Sequence, residues 1–287
     1  MDFTTFRDKA IEAKATVPEP KFIDSDGISL AYRVYPAKEA KAILLFYHGG
    51  GAHSGGGYPI LANKLSDTGI TVYTPDIRGH GESKGERGDT PSKTQIWKDV
   101  DKMIQLVISE QPNLPLFLGG HSSGCGMLLN HSSFTKESNI TGYIFLAPQF
   151  GFRSKTLKQS ESPFAVAKIP LFAFNAMSFG LLFGHSNAVT FNYPDSVLED
   201  KRYVQFNTVE MANALTPSNP FSQFEKINCY GLWIGENDEA IDAQKVVEMQ
   251  KLNTNGICEI VPKVAHLEII LDSASYIGPF IISKISS

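Results

Sequence analysis

Cysteine and long apolar runs are both scarce in this chain of 287 residues. Its three cysteines, Cys125, Cys229 and Cys258, form no C-x-x-C pair, so we expect neither a disulfide framework nor a cysteine metal site. No uninterrupted apolar stretch reaches the ~20 residues that a bilayer requires, which argues against a transmembrane span. An excess of one charge is lacking as well, because 26 lysines and arginines accompany 30 acids. We therefore expect no nucleic-acid partner, since such a partner would need a basic stripe.

The first residues also lack the apolar stretch of a signal peptide, because Asp2, Arg7 and Asp8 are charged. We expect a cytoplasmic location on that ground. Phosphate-binding motifs are missing too: no Gly-Lys-Ser/Thr follows a glycine-rich stretch, and no stretch has the G-x-G-x-x-G spacing of a dinucleotide site. No cluster of histidines, cysteines or acids has the spacing of metal ligands. The sequence thus predicts no cofactor and no metal.

Apolar runs alternate with segments of helical spacing over most of the chain. Ala42–Tyr47 is continuously apolar, as expected of a strand buried on both faces, whereas Lys98–Glu110 places its apolar residues on one helical face. Ile227–Ile234, Val246–Leu252 and Ile257–Val261 repeat the order strand, helix, strand. This alternation predicts an α/β fold with a mostly parallel central sheet that helices cover on both faces.

The alternation of strands and helices stops between residues 151 and 220. That stretch is too long for a simple connection. We predict a core formed by residues 1–150 and 221–287, with a helical cap inserted at 151–220. Six of the 19 phenylalanines fall between Phe152 and Phe183. These phenylalanines fill the interior of the cap, or some of them line an acyl-chain pocket or face a lipid surface, and the two interpretations are compatible.

The pentapeptide Gly120-His121-Ser122-Ser123-Gly124 has the pattern G-x-S-x-G and directly follows the apolar run Leu114–Gly119. In this pattern a serine lies on a tight turn between a buried strand and a helix, with its hydroxyl pointing out of the fold. Small flanking residues permit the strained backbone of such a turn. We interpret Ser122 as a nucleophile.

A serine hydroxyl needs a general base, and seven histidines are available for that role. We choose His266, because it follows the predicted strand Ile257–Val261 at the carboxyl end, the edge where α/β sheets place their ligands. His53 lies in a glycine-rich loop and could approach a substrate. The other histidines are expected to be structural, packing or surface residues: His48, His80, His121, His131 and His185.

The acid that orients the base should lie between the serine and the histidine in the chain. Four acids follow the predicted strand Ile227–Ile234, and the residues alone do not distinguish among them: Glu236, Asp238, Glu239 and Asp242. A developing oxyanion also needs hydrogen-bond donors. The loop His48-Gly-Gly-Gly supplies bare amides after a strand, and we predict that the amides of Gly50 and Ser123 form the oxyanion hole.

Three blocks of the sequence resemble one group of enzymes: His48–Tyr58, which is rich in glycine, Asp76–Ser83 (Asp-Ile-Arg-Gly-His-Gly-Glu-Ser) and Gly120–Gly124. The chain resembles the α/β-hydrolases of the monoacylglycerol lipase and lysophospholipase group, which also includes the "serine aminopeptidase" hydrolases. The resemblance implies an α/β-hydrolase fold. It also implies that Asp238, at the fourth position of a G-x-x-D element, is the acid, and it supports Gly50 and Ser123 as oxyanion donors.

These observations together predict a serine hydrolase that cleaves carboxylic esters through an acyl-enzyme, with Ser122, Asp238 and His266 as catalytic residues. The expected substrate is a lipid-like ester with one acyl chain, such as a monoacylglycerol or lysophospholipid, and the cap could touch a membrane surface transiently. A peptidase or an acyltransferase on the same scaffold is an alternative, and so is a non-catalytic binding protein. The oligomeric state is not indicated by the sequence.

Overall fold

The computed structural model describes residues 1–135 and 139–285. The strands are β1 (Lys21–Ser25), β2 (Ile28–Tyr35), β3 (Ala42–Tyr47), β4 (Ile70–Pro75), β5 (Leu116–His121), β6 (Ile140–Leu146), β7 (Ala165–Ala167), β8 (Asn187–Phe191), β9 (Phe206–Thr208), β10 (Tyr230–Gly235) and β11 (Gly256–Val261). The helices are α1 (Phe3–Glu12), α2 (Tyr58–Ser66), α3 (Lys93–Glu110), α4 (Ser123–Phe134), α5 (Ile169–Met177), α6 (Asp195–Leu198), α7 (Val209–Leu215), α8 (Pro220–Glu225), α9 (Ala243–Gln250), α10 (Ile269–Asp272) and α11 (Ala274–Ile285).

An eight-stranded sheet in the order β1-β2-β4-β3-β5-β6-β10-β11 forms the centre of the molecule. Strand β2 pairs antiparallel with β1 and with β4. The remaining neighbours in this sheet, β4-β3-β5-β6-β10-β11, pair in parallel. The predicted α/β class with a mostly parallel sheet is confirmed. Parallel strands end at the same edge of a sheet, so the loops after β3, β5, β10 and β11 come together there.

Alternate side chains of the central strands enter two separate hydrophobic cores. In β3, Ile43 and Leu45 belong to a core shared with α3, α4 and α9, whereas Leu44 and Phe46 belong to a core shared with α2 and α11. All four side chains are buried. Because burial of such a side chain contributes about 1.5–3 kcal/mol, both faces of the sheet are strongly bound to their helices.

Between β6 and β10 the chain leaves the central sheet and forms a second, antiparallel sheet in the order β7-β8-β9. Helix α7, from the same part of the chain, packs against α3 and α4. The segment therefore contains strands as well as helices, unlike the purely helical insertion that the sequence suggested. Its treatment as a cap bounded at residues 151 and 220 stays a prediction.

Helix α5 and the residues after it expose apolar side chains to solvent. Phe179 is 96% exposed, Leu181 is 85% exposed and Met177 is 75% exposed. Phe174 and Phe183 are also exposed, although their rings contact each other at 6.0 Å. The interpretation that the phenylalanines of this segment fill its interior is therefore wrong for these residues. No helix of the described chain has the length and hydropathy to cross a membrane.

Capping side chains determine where α3 and α1 begin, and the sequence patterns did not indicate these starts. Helix α3 begins at Lys93 and not at Lys98, since the Ser92 side chain accepts a hydrogen bond from the Gln95 amide at 3.3 Å. Helix α1 was not predicted at all. It begins after Asp2, whose side chain accepts a hydrogen bond from the Thr5 amide.

Replacement of Gly124 tests how closely α4 approaches β3. A Cβ atom at Gly124 would lie 2.6 Å from the His48 carbonyl oxygen and 2.9 Å from that of Tyr47. We expect Gly124→Ala to lower the free energy of unfolding in urea by at least about 1–3 kcal/mol, because rigid backbone must move. Gly278→Ala is the control, since a Cβ there lies no closer than 3.4 Å to Thr68. Equal stability of the two variants would contradict the close approach.

Candidate active site

Ser122 lies at a strained turn between β5 and α4. Its φ of 53° and ψ of −119° fall in a region that residues with a side chain rarely adopt, at a cost of about 1–3 kcal/mol. The turn is held by backbone bonds, because the Ser122 amide donates to Leu146 O at 3.0 Å and the Gln149 amide donates to Ser122 O at 3.1 Å. Ser122 is partly exposed. Its hydroxyl is therefore presented at the carboxyl edge of the sheet.

The predicted base contacts Ser122, and the predicted acid contacts the base. His266 Nε2 lies 3.1 Å from Ser122 Oγ, and His266 Nδ1 lies 2.7 Å from Asp238 Oδ2. Both His266 and Asp238 are buried. The carboxylate accepts a hydrogen bond from Nδ1–H, which leaves Nε2 as a lone-pair acceptor for the serine hydroxyl. The structure thus brings together all three side chains.

The Asp238 carboxylate is held in its ionised form by its neighbours. Burial on its own would raise its pKa, but the charge and hydrogen bond of His266 and the amides of Ile241 and Ala240 lower it below the usual value. Those amides donate to Oδ1 at 2.7 and 2.9 Å. The second oxygen is thereby left to His266, which fixes the orientation of the imidazole.

The three other acids considered from the sequence hold backbone amides. Glu236 accepts from the amide of Lys263 at 2.9 Å, and Glu239 accepts from the amide of His266 at 3.0 Å. Asp242 caps α9. None of the three is buried. They support the loops around the site, and Glu236 and Glu239 are exposed to solvent.

The glycine loop after β3 runs beside the serine turn. A Cβ at Gly49 would lie 3.2 Å from Ser122 Cβ, and one at Gly50 would lie 3.0 Å from Ser123 Oγ. Within the described residues, neither the Gly50 amide nor the Ser123 amide donates a hydrogen bond to the protein. Two amides without a protein acceptor thus belong to the glycine loop and to the residue after Ser122, where the sequence predicts the oxyanion donors.

His121 and Tyr58 connect the glycine loop to the base. The Gly49 amide donates to the Tyr58 hydroxyl at 2.8 Å, and that hydroxyl donates to His121 Nδ1 at 3.1 Å. His121 Nε2 then donates to the His266 carbonyl oxygen at 3.0 Å. The sequence analysis missed Tyr58, although it ends the first of the three family-like blocks.

Most of the remaining histidines are structural. His48 Nδ1 donates to Gly49 O at 2.8 Å, while its Nε2 accepts from the Ile77 amide at 3.0 Å. His53 is buried beside Asp200 and Tyr203. This burial speaks against the expectation that it approaches a substrate. The others bond to Arg78 (His80), Asp101 (His131) and Asp89 (His185).

No metal centre is indicated within residues 1–135 and 139–285. That part of the structure contains no group of three or more histidine, cysteine or acidic side chains able to hold a metal ion.

The family model described as "Serine aminopeptidase, S33" (Hydrolase_4) matches residues 38–209. The chain belongs to this family. The family relationship inferred from the three blocks is thereby confirmed. The matched stretch includes the glycine loop and Ser122, whereas Asp238 and His266 lie beyond it.

Curated relatives share part of the chain. Human monoglyceride lipase is 32% identical over 130 residues, which are 45% of this chain and 42% of that protein. The Saccharomyces cerevisiae monoglyceride lipase is 30% identical over 145 residues, which are 48% of this chain and 46% of that protein. The aligned region thus spans less than half the length of either relative.

Solved structures share the whole fold at low sequence identity. One solved structure is a soluble variant of Saccharomyces cerevisiae monoglyceride lipase in complex with a substrate analogue. It superimposes with a TM-score of 0.69 at 19% identity, and the match covers 95% of each chain. A thermostable carboxyl esterase from Bacillus coagulans gives a TM-score of 0.73 at 17% identity. This match covers 94% of this chain and 100% of that chain. These likenesses show that the chain has the α/β-hydrolase fold.

The buried histidines predict a loss of stability in mild acid. Burial lowers the pKa of His48 to about 4 and the pKa of His80 and His121 to about 3, from an ordinary value of 6.5. The unfolded chain therefore binds more protons than the folded chain below about pH 6.5. The free energy of unfolding should fall as the pH drops from 6.5 towards 4, with a slope of up to about 4 kcal/mol per pH unit from three histidines.

Urea unfolding at half-unit steps between pH 7 and pH 4 measures this slope. Carboxylates whose pKa is lowered, such as Asp76 and Asp238, add to the loss only near and below their usual pKa of 3.8, so the two effects separate. His80→Gln should remove the share of the slope that belongs to one proton. A free energy that stays constant from pH 7 to pH 5 would contradict the assignment of these histidines as neutral.

Proposed function

We propose that this protein is a serine hydrolase that cleaves carboxylic esters. The observation that carries the proposal is the continuous contact from Ser122 Oγ through His266 to Asp238, at 3.1 and 2.7 Å. The amides of Gly50 and Ser123, which have no acceptor among the described residues, support it, because the glycine loop runs beside the serine turn. A nucleophile, an oriented base and an oxyanion hole are the parts that acyl transfer requires.

The proposed reaction begins when Ser122 Oγ attacks the carbonyl carbon of the ester while His266 Nε2 takes the hydroxyl proton. The carbonyl oxygen becomes an oxyanion and accepts hydrogen bonds from the Gly50 and Ser123 amides. Collapse of this intermediate breaks the ester bond, and the leaving alkoxide takes the proton from His266 Nε2. An acyl group remains on Ser122.

Water completes the cycle by the same steps. His266 Nε2 takes a proton from water as the water oxygen attacks the acyl carbon, and the same proton then returns to Ser122 Oγ as the acid leaves. Asp238 stabilises the imidazolium that forms in each half-reaction, and it keeps Nε2 directed at the reacting atoms. Replacement of Asp238 should therefore affect the rate more than substrate binding.

We assign a single-chain lipid ester, such as a monoacylglycerol or lysophospholipid, as the substrate class. The named relatives support this assignment, since several are monoglyceride lipases. The exposed apolar surface formed by α5 and residues 177–183 supports it as well. Several exposed apolar side chains within one short segment suit contact with a lipid aggregate from which a substrate enters.

Substitutions at Ser122 and Asp238 test the reaction. We expect Ser122→Ala to lose at least about 1,000-fold in kcat and Asp238→Asn about 100- to 10,000-fold, with KM little changed. The assay compares p-nitrophenyl esters of increasing chain length, monoacylglycerols, lysophospholipids and an alanine p-nitroanilide. Ser132→Ala is the matched control, because this serine lies in α4, the helix that follows the Ser122 turn, and its hydroxyl donates to Leu129 O at 2.8 Å.

Ester hydrolysis retained by Ser122→Ala would refute the mechanism. Faster cleavage of the anilide than of any ester would favour a peptidase. Activity restricted to short esters would refute the lipid substrate class and leave a general esterase. Transfer of the acyl group to an added alcohol in preference to water would identify an acyltransferase.

Removal of the exposed apolar side chains tests the lipid contact separately. The double variant Phe179→Ser, Leu181→Ser should lose about tenfold or more in activity on monoolein dispersions, because each lost contact removes on the order of 1 kcal/mol of burial. Hydrolysis of soluble p-nitrophenyl acetate should not change. Leu252→Ser is the control, since Leu252 is 48% exposed but lies between α9 and β11. Equal losses on both substrates would contradict a role in lipid contact.

A further inference from the structure

The carbonyl groups of the glycine loop accept hydrogen bonds both from the loop itself and from a distant part of the chain. Within the loop itself, Gly49 O accepts from His48 Nδ1 at 2.8 Å and from the Ala52 amide at 3.2 Å. The next two carbonyl groups bond to the segment between β8 and β9. Three consecutive carbonyl oxygens of the loop are thus engaged.

The bonds from that segment come from Tyr193 and Val204. The Tyr193 hydroxyl donates to Gly50 O at 3.1 Å, and the Val204 amide donates to Gly51 O at 2.8 Å. Both approaches depend on glycine. A Cβ at Gly51, whose φ is +72°, would lie 2.6 Å from Val204 O and 2.9 Å from the Tyr193 hydroxyl. The sequence Gly-Gly-Gly therefore serves this contact as well as the approach to Ser122.

The hydroxyl of Tyr193 is fixed in place by the aromatic rings around it. Its ring lies 4.8 Å from Phe164, 5.1 Å from Tyr203 and 5.2 Å from Phe3, in edge-on or tilted contacts. Tyr193 is buried, and this burial raises its pKa well above the usual value. The hydroxyl accordingly stays protonated and donates a hydrogen bond to Gly50 O, which can only accept.

The two sets of bonds determine where the Gly50 amide points. Its N–H belongs to the peptide plane between Gly49 and Gly50, and the two ends of a trans peptide point in opposite directions. Bonds to Gly49 O on one side therefore aim the Gly50 N–H to the other. The next peptide plane, between Gly50 and Gly51, is held by the hydrogen bond from the Tyr193 hydroxyl to Gly50 O. Gly50 has no Cβ to restrict its rotation, so its conformation depends on these bonds.

We propose that Tyr193 is a positioning residue for the oxyanion hole: its hydroxyl bond to Gly50 O keeps the Gly50 N–H aimed at the oxyanion formed on Ser122. This inference rests on the proposed function, and it assigns part of the catalytic geometry to the segment between β6 and β10. Tyr193 acts through the Gly50 peptide and contacts no reacting atom.

Removal of the hydroxyl alone tests the proposal. We expect Tyr193→Phe to lower kcat for p-nitrophenyl butyrate about tenfold, less than the 100- to 1,000-fold loss of a whole oxyanion donor, with KM within about twofold. A trifluoromethyl ketone, which forms a tetrahedral adduct with an oxyanion, should bind more weakly by a similar factor. Tyr203→Phe is the matched control, since Tyr203 packs on Tyr193 but is not bonded to the loop carbonyls of Gly50 and Gly51. It should retain kcat and inhibitor affinity.

The outcomes separate this proposal from the proposed function. Wild-type kcat and inhibitor affinity in Tyr193→Phe would overturn the positioning role while leaving the hydrolase intact. Equal losses in Tyr193→Phe and Tyr203→Phe, or a loss confined to KM, would assign the effect to aromatic packing and overturn it as well. If the wild-type protein cleaves no ester, or Ser122→Ala remains active, the proposed function fails and this inference fails with it.

Discussion

The close contact between the start of α4 and the end of β3 is the constraint on which the candidate site depends. Gly124 lies against the carbonyl groups of Tyr47 and His48, and a Cβ at Gly120 would lie 2.6 Å from the Gly124 backbone. Without side chains at these two positions, the β5–α4 turn is narrow enough to force Ser122 to a positive φ. The same contact brings the glycine loop alongside the serine. One packing requirement thus places both the nucleophile and the proposed oxyanion donors.

The loops of the acid and the base are joined by a similar contact. A Cβ at Gly235 would lie 2.1 Å from Val264 O, and the Asn237 amide donates to that same oxygen at 3.0 Å. The loop after β10 therefore cannot move without the loop after β11. Because β10 and β11 are parallel neighbours, both loops start from one edge of the sheet. Asp238 and His266 reach hydrogen-bond distance through this arrangement, and their buried pair depends on backbone packing as much as on charge.

The sequence was sufficient for the parts of the site that follow from local rules. Ser122 and His266 were predicted because a turn motif and a strand end are visible within a few residues. Asp238 came from a family resemblance alone, since the residues left four acids open and burial, which distinguishes them, is decided by the tertiary fold. The bonds of His121 and Tyr193 could not be predicted, because their partners lie 145 and 143 residues away. The strands between β6 and β10 were not predicted, and the apolar residues of α5 and residues 177–183 face solvent, so they lack the periodicity of a core.

The proposed mechanism requires that Ser122 is an activated nucleophile in the folded protein. Labelling with a fluorophosphonate probe, followed by peptide mass spectrometry, tests this claim most directly, because the probe phosphonylates a serine only when a base has activated it. We expect one adduct per chain, on the peptide that contains Ser122, with labelling abolished by prior denaturation and strongly slowed in His266→Ala. An unlabelled folded protein, or an adduct on another residue, would contradict the account.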